Sequence, residues 1–313
     1  VAMTRDKSIS LIGAPTDIGA GARGGSMGPE ALRVAGLHEA LNRLGYGVID
    51  RGNLAGPSNW SPKPVRGYRH LKEVVAWCAA VRDAFKRDLD ANNIPILMGG
   101  DHSLSIGSIA AVSDHCREAG KPFSVLWLDA HADFNTPQTT QSGNLHGMPV
   151  AVVTGQGPAE LLEVGSMSPM IDIGRVVQVG IRSVDHVEKE LVRENGLTVI
   201  DMREIDERGM RSVMDGVLQR LGDIGGHLHV SLDVDFLDPS IAPGVATQVP
   251  GGPTYREAQL CMEMIYDSGL MGSLDIAELN PAYDDQNRTA ELIVDLVESL
   301  FGEQILSRHH STL

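Results

Sequence analysis

Short apolar runs alternate along this chain with longer stretches of helical periodicity, and no other feature so narrows what it can fold into. The runs at 8–12, 48–49, 94–98, 123–128, 176–179, 197–200, 229–232 and 272–276 read as strands. Between them, residues 29–44, 65–92, 183–196, 202–221, 254–268 and 289–301 carry apolar side chains at helical spacing, with Pro29 suited to a first turn. Strands that alternate with helices fold as βαβ units, so the expected architecture is α/β, a mainly parallel sheet covered on both faces. No run rich in Pro, Ser or charge divides the 313 residues, which are therefore expected to form one domain, 1–313. Such sheets bind ligands beyond the carboxyl ends of their strands, so chemistry is expected just after the apolar runs.

Three of those strand ends carry carboxylates and imidazoles. Gly99-Gly100-Asp101-His102-Ser103 follows 94–98, Asp129-Ala130-His131-Ala132-Asp133 follows 123–128, and Asp233-Val234-Asp235 follows 229–232. In extended backbone alternate side chains share a face, which would let Asp129, His131 and Asp133 converge, and likewise Asp233 with Asp235. With His102 they make six candidate ligands. Four carboxylates packed together cannot all ionise unless positive charge offsets them, and two divalent cations would do so. Hard oxygen with imidazole and no thiolate suits two Mn2+ per chain, with Co2+, Fe2+, Ni2+ or Zn2+ as substitutes. Any one of these residues alone reads equally well as a turn or cap residue; three strand ends collecting ligand types together do not.

Composition limits the partners. Lys and Arg number 26 against 41 Asp and Glu, a formal charge of -15, so the long-range field repels nucleic acid and anionic membranes and weakly favours a cationic substrate. Cys78, Cys116 and Cys261 are odd in number and lack CxxC spacing, which argues against a disulfide framework and for a reducing, cytoplasmic setting. No run of apolar residues is long enough to span a membrane, and the sequons at Asn59 and Asn287 carry no weight in a cytoplasmic chain. Gly19-Ala20-Gly21-Ala22-Arg23-Gly24 spells GxGxxG, with Asp50 at the end of the next strand. Ser26, Met27, Gly28 and Pro29 nevertheless separate those glycines from their helix, too far for its N-terminus to hold a pyrophosphate, which disfavours a nucleotide-linked oxidoreductase.

The metal motifs, with the glycine-rich entry and the segment after 129–133, resemble the ureohydrolase family, and within it the arginase branch of bacterial type. The likeness covers nearly the whole chain. It runs through Gly13-Ala14-Pro15, Gly28-Pro29-Glu30-Ala31-Leu32-Arg33, GGDHS at 99–103, DAHADFNTPQTTQSGNLHGMP at 129–149, SLDVDFLDPSIAP at 231–243, residues 251–257 and DIAELNP at 275–281. The resemblance implies a three-layer α/β/α sandwich about an eight-stranded sheet, with a binuclear manganese site. It implies His102, Asp129, Asp133 and Asp235 around one metal, and Asp129, His131, Asp233 and Asp235 around the other. It also implies hydrolysis of L-arginine to L-ornithine and urea by a hydroxide bridging the metals, and a homo-oligomer, trimer or hexamer.

In that scheme Glu278 holds the guanidinium through two parallel charged hydrogen bonds, a geometry a carboxylate suits. Asp133 helps to stabilise the tetrahedral intermediate, and His146, an imidazole that titrates near neutrality, returns a proton to the departing amine. The 135–146 loop resembles the arginase form, and its Asn135, Ser142 and Asn144 side chains can all donate to a carboxylate. Asp185 and Glu188 resemble the acidic pair that contacts the substrate α-ammonium, although as helix-start acids they are also what a macrodipole favours. Thr247 and Thr140 are further candidate contacts. His229 shares a face with Asp233, where it either orients a ligand or is a hydrogen-bonded core histidine. Two alternatives remain open: a hydrolase of a decarboxylated or deaminated guanidino compound, and a metal-holding protein without turnover.

Overall fold

The computed structural model describes residues 6–58, 60, 63–64 and 66–306; the Asn59 sequon, His309 and His310 lie outside them. Eight strands, β1 (Ile9–Gly13), β2 (Val48–Asn53), β3 (Ile94–Met98), β4 (Phe123–Leu128), β5 (Val176–Ile181), β6 (Thr198–Asp201), β7 (His227–Asp233) and β8 (Met271–Ala277), form one sheet. Its order is β2-β1-β3-β8-β7-β4-β5-β6, and every neighbouring pair is parallel. The expected mainly parallel α/β sheet is therefore wholly parallel. Its four middle strands, β3-β8-β7-β4, are the ones whose carboxyl ends carry the acidic and imidazole motifs.

The helices are α1 (Gly28–Val34), α2 (Leu37–Arg43), α3 (Leu71–Asp90), α4 (Ser105–Glu118), α5 (Pro149–Val153), α6 (Ala159–Leu162), α7 (His186–Asn195), α8 (Met202–Arg208), α9 (Met210–Ile224), α10 (Tyr255–Ser268) and α11 (Arg288–Leu300). One apolar core lies between the sheet and α1, α2 and α8 to α11; the other lies beneath α3 to α6, with residues of α7 packed at its margin. These are the three layers of an α/β/α sandwich. Two stretches that read as single helices are each broken by a glycine: 29–44 at Gly36 and 202–221 at Gly209, whose φ values of 85° and 78° no helix continues through.

Helix α4 was not legible from periodicity. Eleven of its fourteen residues are buried, most of them small or apolar, and its exposed polar residues are confined to the last turn, so no polar stripe runs along it to give away its pitch. It packs against α3 at close range because Gly107 has no Cβ to collide with the Cys78 carbonyl.

Candidate metal centre and substrate cavity

The strand order brings residues from distant parts of the chain to one edge. His102 begins the single 3-10 turn after β3, Asp129 to Asp133 follow β4, and Asp233 ends β7. His102 Nδ1 lies 3.0 Å from Asp233 Oδ2, 3.2 Å from Asp129 Oδ2 and 3.4 Å from Asp133 Oδ2. His131 Nδ1 lies 3.0 Å from Asp235 Oδ2 and 3.6 Å from Asp129 Oδ1. Two sets of donor atoms, each within 4.8 Å of one another, result: His102 with Asp129 and Asp133, and His131 with Asp129 and Asp235.

Two details correct the expectation from sequence. Convergence does not come from extended backbone: Asp133 has a left-handed φ of 48°, and Asp235 sits in a 3-10 turn, Val234–Phe236. Nor does Asp235 stand beside His102. That place belongs to Asp233, because the turn after β7 swings Asp235 towards β4, where the Ala130 N–H donates to its Oδ1 at 3.1 Å.

Five of the six side chains are buried and His131 is partly exposed, and there is no lysine or arginine among them. Burial and the neighbouring carboxylates push Asp133 and Asp233 well above the usual carboxylate range. For Asp129, burial works the same way but is outweighed by His102 and His131, which hold it well below. Burial would lower both imidazoles, yet their carboxylate partners raise His102 to about 9 and His131 to about 12. Protons on the imidazoles are thus the only positive charge within the cluster. Oxygen and imidazole donors short of positive charge fit a pair of divalent cations.

Neighbours that periodicity did not single out orient these ligands. Trp127 Nε1 donates to Asp129 Oδ2 at 2.8 Å and its ring stacks on His102 with centroids 4.0 Å apart. Ser231 Oγ meets His102 Nε2 at 2.9 Å, which leaves Nδ1 to face the carboxylates. Trp127 and Ser231 each lie two residues before a ligand, Asp129 just past the end of β4 and Asp233 at the end of β7, a spacing that is present in the sequence. Arg182 donates to the carbonyls of Gly180, Asp235, Phe236, Leu237 and Val249, tying the turn after β7 in place. His229 touches no candidate ligand: it bonds Ser273 at 2.8 Å and Asp275 at 3.0 Å, a buried polar pair in the core.

A cavity of about 160 Å3 opens over the cluster. His131, Asp133, Asn135, His146, Asp185, Glu188, Asp233, Asp235, Thr247 and Glu278 line it, whereas Thr140, Ser142 and Asn144 stand outside that lining. Asn135 Oδ1 accepts from Thr139 Oγ1 at 3.0 Å, leaving its amide NH2 as the donor. Thr247 donates to Asp235 Oδ2 at 3.0 Å. Glu188 accepts the Phe134 and Asp185 N–H groups at 2.8 and 3.3 Å, so its carboxylate holds the start of α7 and the turn after the ligands together. A larger cleft, about 610 Å3, lies beyond Ser183 beside Arg182, Lys189 and Asp201, and contains none of the six ligands.

Glu278, at φ 63°, accepts the His102 N–H at 2.8 Å on the same oxygen that meets His146 Nδ1 at 3.0 Å. Burial opposes charge on both partners, yet each favours the other's ionised form: His146 is raised and Glu278 lowered. The His146 N–H donates to the Gly19 carbonyl at 3.1 Å, and the Gly19 N–H to Asp101 Oδ2 at 2.9 Å. A Cβ at Gly19 would collide with Asp101, which explains that glycine by close approach and not by phosphate binding. Asp50 is held by Arg33 through two bonds of 2.8 and 2.9 Å.

Comparison with known proteins follows the same line. The Arginase family profile matches residues 7–302. A Brucella melitensis protein named arginase is 47% identical over 300 residues, 95% of this chain and 97% of its own length. One from Bacillus subtilis is 42% identical over 302 residues, covering 96% of this chain and all of its own. The solved native structure of Bacillus caldovelox arginase superposes with a TM-score of 0.92 at 41% identity, covering 96% of this chain and all of that one.

Proposed function

The chain belongs to the arginase family, and from that premise we propose that it hydrolyses the guanidinium group of L-arginine to give L-ornithine and urea. The observation that carries this reading is the convergence of six ligand-type side chains, five of them buried and His131 partly exposed, beneath a cavity that His146 and Glu278 also line. His102, Asp129, His131, Asp133, Asp233 and Asp235 would hold two metal ions, manganese in this reading with Co2+, Fe2+, Ni2+ or Zn2+ as substitutes. When bound, they supply a nucleophile from water at neutral pH.

The chain's own groups do the rest. Glu278 has one oxygen committed to His102 and His146, and its carboxylate faces the cavity where a guanidinium would lie. Asp133 presents negative charge to the guanidinium carbon as it becomes tetrahedral and its nitrogens gain basicity. His146, raised in pKa by Glu278, keeps a proton to give to the departing amine of ornithine. Asp185, Glu188, Thr247 and Asn135 in the lining, and Ser142 and Asn144 outside it, would read the α-ammonium and α-carboxylate.

We read residues 1–313 as one catalytic domain, working in the cytoplasm as a trimer or hexamer. Light scattering on the purified protein tests the assembly. Among the described residues no helix is long and apolar enough to cross a membrane.

The test of function is release of ornithine and urea after incubation with Mn2+, comparing L-arginine with agmatine and 4-guanidinobutyrate. Metal-dependent turnover of L-arginine alone is expected. Preference for either analogue would overturn the substrate assignment, and bound metal without turnover of any of the three would overturn the enzymatic reading.

A further inference from the structure

We propose that Arg69 is a positioning residue for substrate specificity: it pins the 142–144 turn so that Ser142 and Asn144 meet the substrate α-carboxylate. The proposal rests on the reading of L-arginine as substrate. Arg69 lies just ahead of α3, far from the turn in sequence, yet its backbone N–H donates to the Gly143 carbonyl at 2.9 Å and its Nε to the Ser142 carbonyl at 3.2 Å. One residue therefore holds two consecutive carbonyls of the loop.

The turn is shaped for that grip. Gly143 has φ 74°, and a Cβ there would collide with the Gly67 carbonyl, so the chain leading to Arg69 can lie directly against it. On the other side, a Cβ at Gly21 would come within 2.7 Å of Asn144 Nδ2. Within the turn, Thr140 Oγ1 accepts the Gly143 N–H at 3.0 Å and Ser142 Oγ accepts the Asn144 N–H at 3.2 Å. Asn144 is thus set between the glycine-rich loop and a turn whose outer edge Arg69 fixes.

Charge points the same way. The cavity wall holds six carboxylates, among them Asp185, Glu188 and Glu278, against the two imidazoles of His131 and His146, and contains no lysine or arginine, so on balance it disfavours an incoming carboxylate. Arg69 places a guanidinium on the side of the 142–144 turn. Because it reaches neither the metal ligands nor His146, its effect belongs to binding and not to the chemical step.

Arg69→Gln is expected to raise KM for L-arginine about tenfold, the size of one lost charge-assisted hydrogen bond, with kcat and melting temperature near wild type. Calorimetry with the metal-loaded protein is expected to show L-ornithine binding weakened by a similar factor and putrescine, which lacks the carboxylate, unchanged. Arg69→Lys keeps the charge and one donor and is expected to recover part of the loss; it also serves if the Gln variant folds poorly. Equal weakening of L-ornithine and putrescine, a fall in kcat at constant KM, or no change in either variant overturns the proposal. Failure of the unmutated chain to hydrolyse L-arginine would overturn the functional reading as well, and is told apart because the wild-type arm alone reveals it.

Discussion

Asp133 and Glu278 hold φ values of 48° and 63°, where residues other than glycine are rarely found. Such strain costs about 1–3 kcal/mol per residue and persists only where the surroundings over-determine it. At Glu278 the Gly100 carbonyl, which accepts the Glu278 N–H at 2.7 Å, and the His102 N–H supply that constraint. With Glu278 so held, His146 depends on it for both orientation and charge. His146→Asn is expected to lower kcat ~10²- to 10⁴-fold, the usual range for a lost general acid, while elemental analysis finds the metal content unchanged. Asp235→Ala is expected instead to lower metal content in that assay, because Asp235 is a member of the set around His131. The imidazoles set the pH response of loading. With His102 at about 9 and His131 at about 12 in the metal-free protein, both are protonated at neutral pH and must lose those protons to bind a metal. Binding should therefore release protons, and affinity should rise with pH up to the His102 value and beyond. Calorimetry in buffers of different ionisation enthalpy checks the sign; proton uptake would contradict it.

At the scale of elements, local caps fix where helices begin, a detail that apolar spacing does not show. Thr254 caps α10, its hydroxyl accepting the Glu257 N–H while Glu257 reaches back to the Thr254 N–H at 2.8 Å. This capping box lies away from the cavity, so Thr254→Ala is expected to cost about 1 kcal/mol of stability and leave kcat/KM unchanged, as read by thermal melting beside the urea assay. The capping residues of α7 are different. Glu188 serves the helix start and also the Phe134 N–H next to Asp133, so the same four residues that look like an ordinary helix start also brace the ligand turn. Nothing in the local pattern separates those two uses, since the second partner comes from another strand end. Helix α4 is hidden for a related reason: a helix buried along all but its last turn has no amphipathic signature, and its small residues answer to α3 and not to its own pitch.

For the whole molecule, the decisive arrangement is the insertion of β8, late in the chain, between β3 and β7. It seats Glu278 between the carboxyl ends that carry His102 and Asp233. Without metal the acidic centre is held by protonated imidazoles and by neutral donors such as Trp127 Nε1 and the Ala130 N–H, which do not offset its charge as divalent cations would, so metal and fold are linked. Loading with Mn2+ is expected to raise the melting temperature and chelation to lower it, by an amount that grows with free metal as about 2.7 kcal/mol at one hundred times Kd; a melting curve indifferent to metal would contradict this linkage.

The sequence by itself determined the class of fold, the eight strands, the position of the chemistry at their carboxyl ends, and the identity of the six ligand-type residues. Those follow from local rules: alternation fixes what is strand or helix, and Asp and His cluster where backbone emerges from the core. Which carboxylate stands beside which imidazole was decided only by tertiary structure, because Asp233 and Asp235 are distinguished by a 3-10 turn and by the Ala130 N–H on a neighbouring strand end. The same holds for His229, which the sheet register turns towards Ser273 and Asp275, and for the grip of Arg69 on a turn more than seventy residues away. Contacts between distant segments depend on strand order and close approach, and neither is written in the periodicity of any one segment.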